Sequence, residues 1–241
     1  MSSAVKEMSF LDHLEELRWR IIKAAVAVVI AAIPCGIYWK KIFDVVMIYP
    51  LRLSNPQPKL IYTSPAETVM ISIKIACAGG LILAAPIVFY QIWKFISPAL
   101  YGNEKKVILP TALVSTLFFI TGIVFSYLMF PFVMRFLTMF APDKLAPMFK
   151  ASEYFGFLLK ISLAFGFVFE LPVISFVLSY MGLIDASFLI KNSRYAIVLI
   201  FIVAAILTPP DVISQTMMAL PMLLLYAISI LVSFLASRRK R

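Results

Sequence analysis

The sequence predicts an all-α, polytopic membrane protein with six transmembrane helices, and three observations carry that prediction. Of the 241 residues, 62% are hydrophobic and 14% charged, with mean hydropathy +0.97, whereas about a quarter of a soluble domain's residues are charged. Apolar runs near the ~20 residues needed to span a bilayer recur along the chain. Lysine and arginine gather at the ends of those runs and in short connections, where membrane proteins place orientation signals.

Residues 9–20 read as a cytoplasmic amphipathic segment. Phe10, Leu14, Leu17 and Ile21 share one helical face, and Ser9 with Asp12 resembles a capping box. The first span lies at about 21–39 and ends in the interfacial anchor Trp39-Lys40-Lys41. It lacks a small-residue cleavage site, so a retained helix is expected in place of a cleaved leader. The connection from Lys41 to Thr68 contains Pro50, Pro56, Pro58 and Pro65, which predicts a stiff, extended or capped shape.

The second span, about 69–93, has Lys74 near one end and Pro86 inside. The third, about 107–134, carries no formal charge until its end and is long enough to tilt or to leave the hydrocarbon. The fourth, about 153–181, holds Lys160 near its start and Glu170 near its middle. A fifth run at 195–207 has 13 residues, so as a helix it covers about 20 Å of a ~30 Å core. Thr208-Pro209-Pro210 closes it, and a sixth run follows at 212–235. No internal repeat appears, and residues 1–241 read as one integral membrane domain.

An even number of spans puts both termini on one side. That side collects 13 Lys and Arg, against seven on the other, so the positive-inside rule predicts N-in and C-in. The same distribution explains the net charge of +10 without nucleic acid. Cys35 and Cys77 both lie in apolar runs, and with one histidine in the chain no metal centre or cofactor is expected. Phosphate-loop, H-E-x-x-H and G-x-S-x-G signatures are missing from the sequence, which argues against a nucleotide-driven motor and an intramembrane hydrolase.

Several residues are candidates for chemistry. Asp12, Glu15 and Glu16 suit a helix start, and Glu16 is spaced to pair with Arg20; from spacing alone this account outweighs a carboxylate patch for a cationic ligand. Glu104 is the one acid in the connection 95–106 and reads by itself as part of a solvated loop. Glu170 is an ionisable group near mid-membrane beside Pro172, which marks a cavity, a partner or a bond within the bundle to Gln91, Thr121 or Gln215. Asp211 reads as a helix cap and Gln215 as a contact within the bundle.

Four stretches in order resemble the TatC family, the multispanning receptor of the twin-arginine protein translocase. They are His13-Leu14-Glu15-Glu16-Leu17-Arg18-Trp19-Arg20; Pro86, Gln91 and Trp93; Phe95 to Lys106, containing Pro98-Ala99-Leu100-Tyr101 and Glu104-Lys105-Lys106; and Thr208-Pro209-Pro210-Asp211-Val212. The resemblance covers residues 9–235. It implies a concave, glove-like bundle with short fifth and sixth helices in a bacterial or archaeal cytoplasmic membrane. It also implies a receptor for twin-arginine signal peptides of folded proteins, with Glu16 and Glu104 meeting the arginine pair. Arg18, Phe95, Leu100, Tyr101 and Lys105 would complete that surface. Glu170 would face the concave pocket, and the fifth and sixth spans, with Gln215, would receive single-span partners of the TatA and TatB type. Homo-oligomers within a larger complex, and energy from the proton-motive force, follow from the same resemblance. A proton-coupled solute carrier using Glu170, or a ligand-free scaffold, are the alternatives from other classes.

Overall fold

The computed structural model describes residues 10–53, 59–96, 108–139, 148–208 and 211–238. Helix α1 (Phe10–Ile37) is continuous, so the amphipathic segment and the first span form one rod. It passes through Pro34 and turns into α2 (Trp39–Leu53), with Tyr38 N–H donating to Pro34 O at 3.0 Å. In the connection expected to be stiff, extended or capped, residues 39–53 are helical, and the one proline of α2 is the buried Pro50 near its end. Strand β1 (Lys59–Ile61) then leads to α3 (Pro65–Ile96).

Helix α4 (Ile108–Met139) has 32 residues and reaches about 48 Å at 1.5 Å per residue, beyond the ~30 Å hydrocarbon, as its length suggested. Strand β2 (Met148–Lys150) pairs parallel with β1, Leu60 opposite Phe149, a small exception to the all-α expectation. The pairing ties together the connections that precede the second and fourth spans. Glu67, buried in the first turn of α3, accepts from Thr63 N–H at 2.9 Å and Ser152 N–H at 2.8 Å, which bolts that end of the bundle to the start of the fourth span.

The fourth span is broken into α5 (Ala151–Val168) and α6 (Leu171–Tyr180). Pro172 has no N–H to give to residue 168, and Glu170 N–H instead makes a tight turn to Phe167 O at 3.1 Å. After Gly182, which takes φ +78° to end α6, come the short α7 (Ala186–Lys191) and α8 (Ser193–Leu207). Helix α8 has 15 residues, about 22 Å, so the fifth helix is short as expected. The sixth is not: α9 (Val212–Arg238) has 27 residues. The sequence between Val212 and Leu235 is uninterrupted apart from Pro221, and α9 runs straight through it.

Among the described residues, five helical segments are long and apolar enough to cross a membrane, and α8 is a shorter apolar helix. Burial is inverted relative to a soluble protein: Leu117 and Leu224 are each 64% exposed, whereas Ser115, Ser126 and Ser233 are fully buried. Lipid supplies the apolar surroundings, so small residues that let backbones approach hold the interior. A Cβ on Gly80 would stand 2.7 Å from Val28 O and from the Ala32 methyl, and one on Gly79 2.6 Å from Cys35 Sγ. Glycine therefore sets how closely α1 lies on α3.

Candidate cytoplasmic site and intramembrane carboxyl

That close antiparallel seating fixes what meets at the end of the bundle where α1 begins and α3 ends. His13, Glu16 and Arg20 are spaced three and four residues apart, so they share one face of α1, and that face looks at Gln91 and Phe95 of α3. The His13 and Phe95 rings stack with centroids 4.4 Å apart and planes 14° apart. Arg20 Nε donates to Glu16 Oε1 at 2.9 Å, its NH2 group reaches the same oxygen, and its NH1 group lies 3.4 Å from Gln91 Oε1. The Glu16–Arg20 pairing expected from spacing is thus present. Glu16 Oε2 is buried without a hydrogen-bond partner among the described residues, with His13 Nδ1 3.8 Å away. Arg18 and Glu15 are exposed and lie off this face.

Leu100, Tyr101, Glu104 and Lys105 lie outside the described residues. The two flanks of their connection do not: Ile96 and Ile108 pack on one cluster containing Trp93 and Phe119. Gln91, expected as a partner of Glu170, belongs to this site instead, and His13 joins it through its ring. A glutamine two residues before a tryptophan at the end of a span was the available signal for the first.

Glu170 sits at the α5–α6 break and is 4% exposed. None of the three expected partners bonds it: Gln91 faces Arg20, Thr121 donates to Leu117 O at 2.7 Å, and Gln215 turns to α8. The Ser115 hydroxyl is the polar neighbour of the carboxyl instead. The Trp93 indole N–H donates to Ser115 Oγ at 2.8 Å. An indole can only donate, so this bond occupies a Ser115 lone pair and leaves the serine proton for another acceptor. Glu170 Oε1 is buried without a partner among the described residues. The available signal for Ser115 is the adjacent pair Ser115-Thr116, among several hydroxyl residues in that span.

At the α8–α9 turn, Asp211 caps α9 as expected, accepting from Ser214 N–H at 2.7 Å and from the Ser214 hydroxyl. Gln215 Nε2 donates to Phe201 O at 2.9 Å, a contact within the bundle between the last two spans. The Ser214 hydroxyl and backbone N–H hold the Asp211 carboxyl below its ordinary range. A depressed folded-state value means stabilisation present above the unfolded value and lost as pH falls through the folded one. Acidification through the carboxylate range is therefore expected to lower the melting temperature of the wild type more than that of Asp211→Asn. Identical acid sensitivity in a pH series of thermal melts would count against the charged cap.

The model of the family described as Sec-independent protein translocase protein (TatC) matches residues 12–221. The TatC protein of Helicobacter pylori is 43% identical over 222 residues, covering 92% of this chain and 87% of that protein. The TatC protein of Desulforapulum autotrophicum is 38% identical over 241 residues, covering 100% of this chain and 89% of that one. A crystal structure of the twin arginine translocase receptor TatC superposes with TM-score 0.81 at 38% identity, covering 94% of this chain and 100% of that chain. A second, in the detergent DDM, gives 0.84 over 92% and 99%. With the matched stretch spanning the α1 carboxylate, the broken fourth span and the α8–α9 turn, the chain belongs to the TatC family and is a multi-pass component of the Sec-independent, twin-arginine protein translocase.

Proposed function

We propose that this chain is the receptor that binds twin-arginine signal peptides of folded precursor proteins at its cytoplasmic end, through Glu16 and Glu104. The observation that carries the reading is the half-satisfied Glu16 carboxylate, one oxygen of which lacks a donor among the described residues, beside the stacked His13 and Phe95. A guanidinium presents the planar fork of N–H groups that a carboxylate accepts most strongly. In this reading the connection between Ile96 and Ile108, whose two flanks pack against one apolar cluster, carries Glu104 as the carboxylate for the second arginine. Phe95, stacked on His13, and Arg18, Leu100, Tyr101 and Lys105 complete the surface in this reading.

The rest of the reading follows the family. The bundle is concave and glove-like, with both termini cytoplasmic in the bacterial inner membrane. TatA- and TatB-type single-span helices dock along α8 and α9, where the short fifth helix and Gln215 offer polar contacts. Transport draws on the proton-motive force, and several copies assemble. Glu170, buried with one oxygen unpartnered among the described residues, suits a donor from a partner helix or peptide. Family membership favours this reading over a solute carrier.

Pull-down of the purified chain with matched leader peptides, one carrying Arg-Arg and one Lys-Lys, tests it. Selective capture of the Arg-Arg peptide is expected. Equal capture of both would overturn the receptor assignment.

A further inference from the structure

We propose that Arg20 determines the specificity of this receptor: it is an internal guanidinium that occupies Glu16 until an incoming arginine displaces it. The inference rests on the twin-arginine reading above and supplies a physical reason for its selectivity.

Arg20 places two N–H groups on one oxygen of Glu16, from Nε at 2.9 Å and from its NH2 group. Its remaining terminal nitrogen lies 3.4 Å from Gln91 Oε1 on α3. Both side chains are largely covered, Arg20 being 14% and Glu16 20% exposed. The carboxylate is therefore half used: Oε1 is held by a cation of the same chain, and Oε2 is buried with no donor among the described residues. A buried acceptor without a donor is costly, and its presence in a folded protein calls for an explanation.

A ligand that supplies two parallel N–H groups removes that cost. An incoming arginine exchanges like for like at Oε1 and gains a new bond at Oε2, closing the bidentate geometry that the internal pair does not reach. The displaced Arg20 keeps an acceptor in Gln91, 71 positions away in sequence and already in contact. An incoming lysine has no such exchange to make. Its ammonium is a compact, strongly hydrated point charge without a fork, so it must remove two N–H groups from Oε1 while offering a poorer fit to the pair of oxygens. The internal ion pair thus raises the threshold for every cation, and a guanidinium is best able to clear it. Discrimination of this kind comes from a competitor built into the site as much as from the attraction itself.

The test uses the full chain in detergent or nanodiscs and two fluorescent leader peptides that differ only in Arg-Arg against Lys-Lys. Affinities are measured for the wild type, Arg20→Gln and Arg20→Lys. In both variants the Lys-Lys peptide is expected to gain more than the Arg-Arg peptide. The preference should shrink about tenfold in Arg20→Gln, the equivalent of one charge-assisted hydrogen bond, and by less in Arg20→Lys. Loss of Arg-Arg binding in both variants, as a purely structural clamp would give, overturns the proposal, and so does an unchanged preference ratio. Arg20→Lys retains the cation and the helix, so the ratio remains readable if Arg20→Gln does not fold. A wild type with no preference defeats the twin-arginine reading itself, an outcome separate from any behaviour of the variants.

Discussion

Gly122→Ala is expected to pry the third span from the fourth and to destabilise the protein by about 1–3 kcal/mol, the range for overpacking a close-packed interface. A Cβ at that position would stand 2.5 Å from Phe165 O, 2.8 Å from Phe165 C and 2.9 Å from Gly166 Cα. All three are backbone atoms of a helix, so no side chain can rotate aside, and α4 must withdraw from α5. The reciprocal contact is equally close: a Cβ on Gly166 would meet the Phe119 ring at 2.7 Å. Withdrawal would also stretch the bond between the Ser126 and Ser162 hydroxyls, now 3.0 Å, one turn further along. Gly156→Ala is the control. There a Cβ meets only the tip of Lys74, at 3.7 Å, an ordinary contact, and alanine is favoured over glycine in a helix interior by up to about 1 kcal/mol. Thermal melts in detergent should fall for Gly122→Ala and hold or rise for Gly156→Ala. Equal melting of the two variants would mean that the α4–α5 contact is looser than these distances.

The contrast between these glycines illustrates what the sequence makes legible. Composition and run length announce the spans, because a bilayer demands about 20 apolar residues per crossing whatever the packing. Which glycine faces a backbone and which faces open space depends on helix rotation, and the apolar pattern does not report it, since lipid and protein interior are alike in polarity. The same blindness explains Glu170. Its burial and its bent helix follow from a carboxyl next to Pro172 in a long apolar run, yet its neighbour is Ser115 on a different helix, with Trp93 behind it. Polar side chains on separate spans pair through tertiary rotation, so Gln91, Thr121 and Gln215 were equally plausible on paper. The outer connection misled for a different reason. Its prolines announce stiffness, but 39–49 contains none, and α2 forms there before Pro50 is reached. Where α1 begins, the i,i+4 spacing gave the Glu16–Arg20 pair correctly, because that contact is local.

Removal of both proposed receptor carboxylates should have the largest functional effect. Each charge-assisted hydrogen bond to a buried or half-buried group contributes about 1.5–3 kcal/mol, so Glu16→Ala or Glu104→Ala alone should weaken the Arg-Arg peptide roughly 10- to 150-fold. If the two act independently, the double variant multiplies those losses to about 10²–10⁴-fold. The single losses should not be equal. Glu16→Ala also strips Arg20 of its carboxylate partner and leaves a positive charge facing the incoming arginines, whereas nothing in the described part of the site attaches such a penalty to Glu104. Glu16→Ala is therefore expected to cost more than Glu104→Ala, and adding Arg20→Ala to Glu16→Ala should recover part of the difference. Peptide crosslinking yields on membranes, normalised to inserted protein, separate these cases. If both single variants crosslink the Arg-Arg peptide like the wild type, guanidinium recognition at this end of the bundle is wrong. If Glu104→Ala proves the more damaging, the arginine pair is read chiefly from the connection between α3 and α4, and Glu16 serves as the anchor for Arg20.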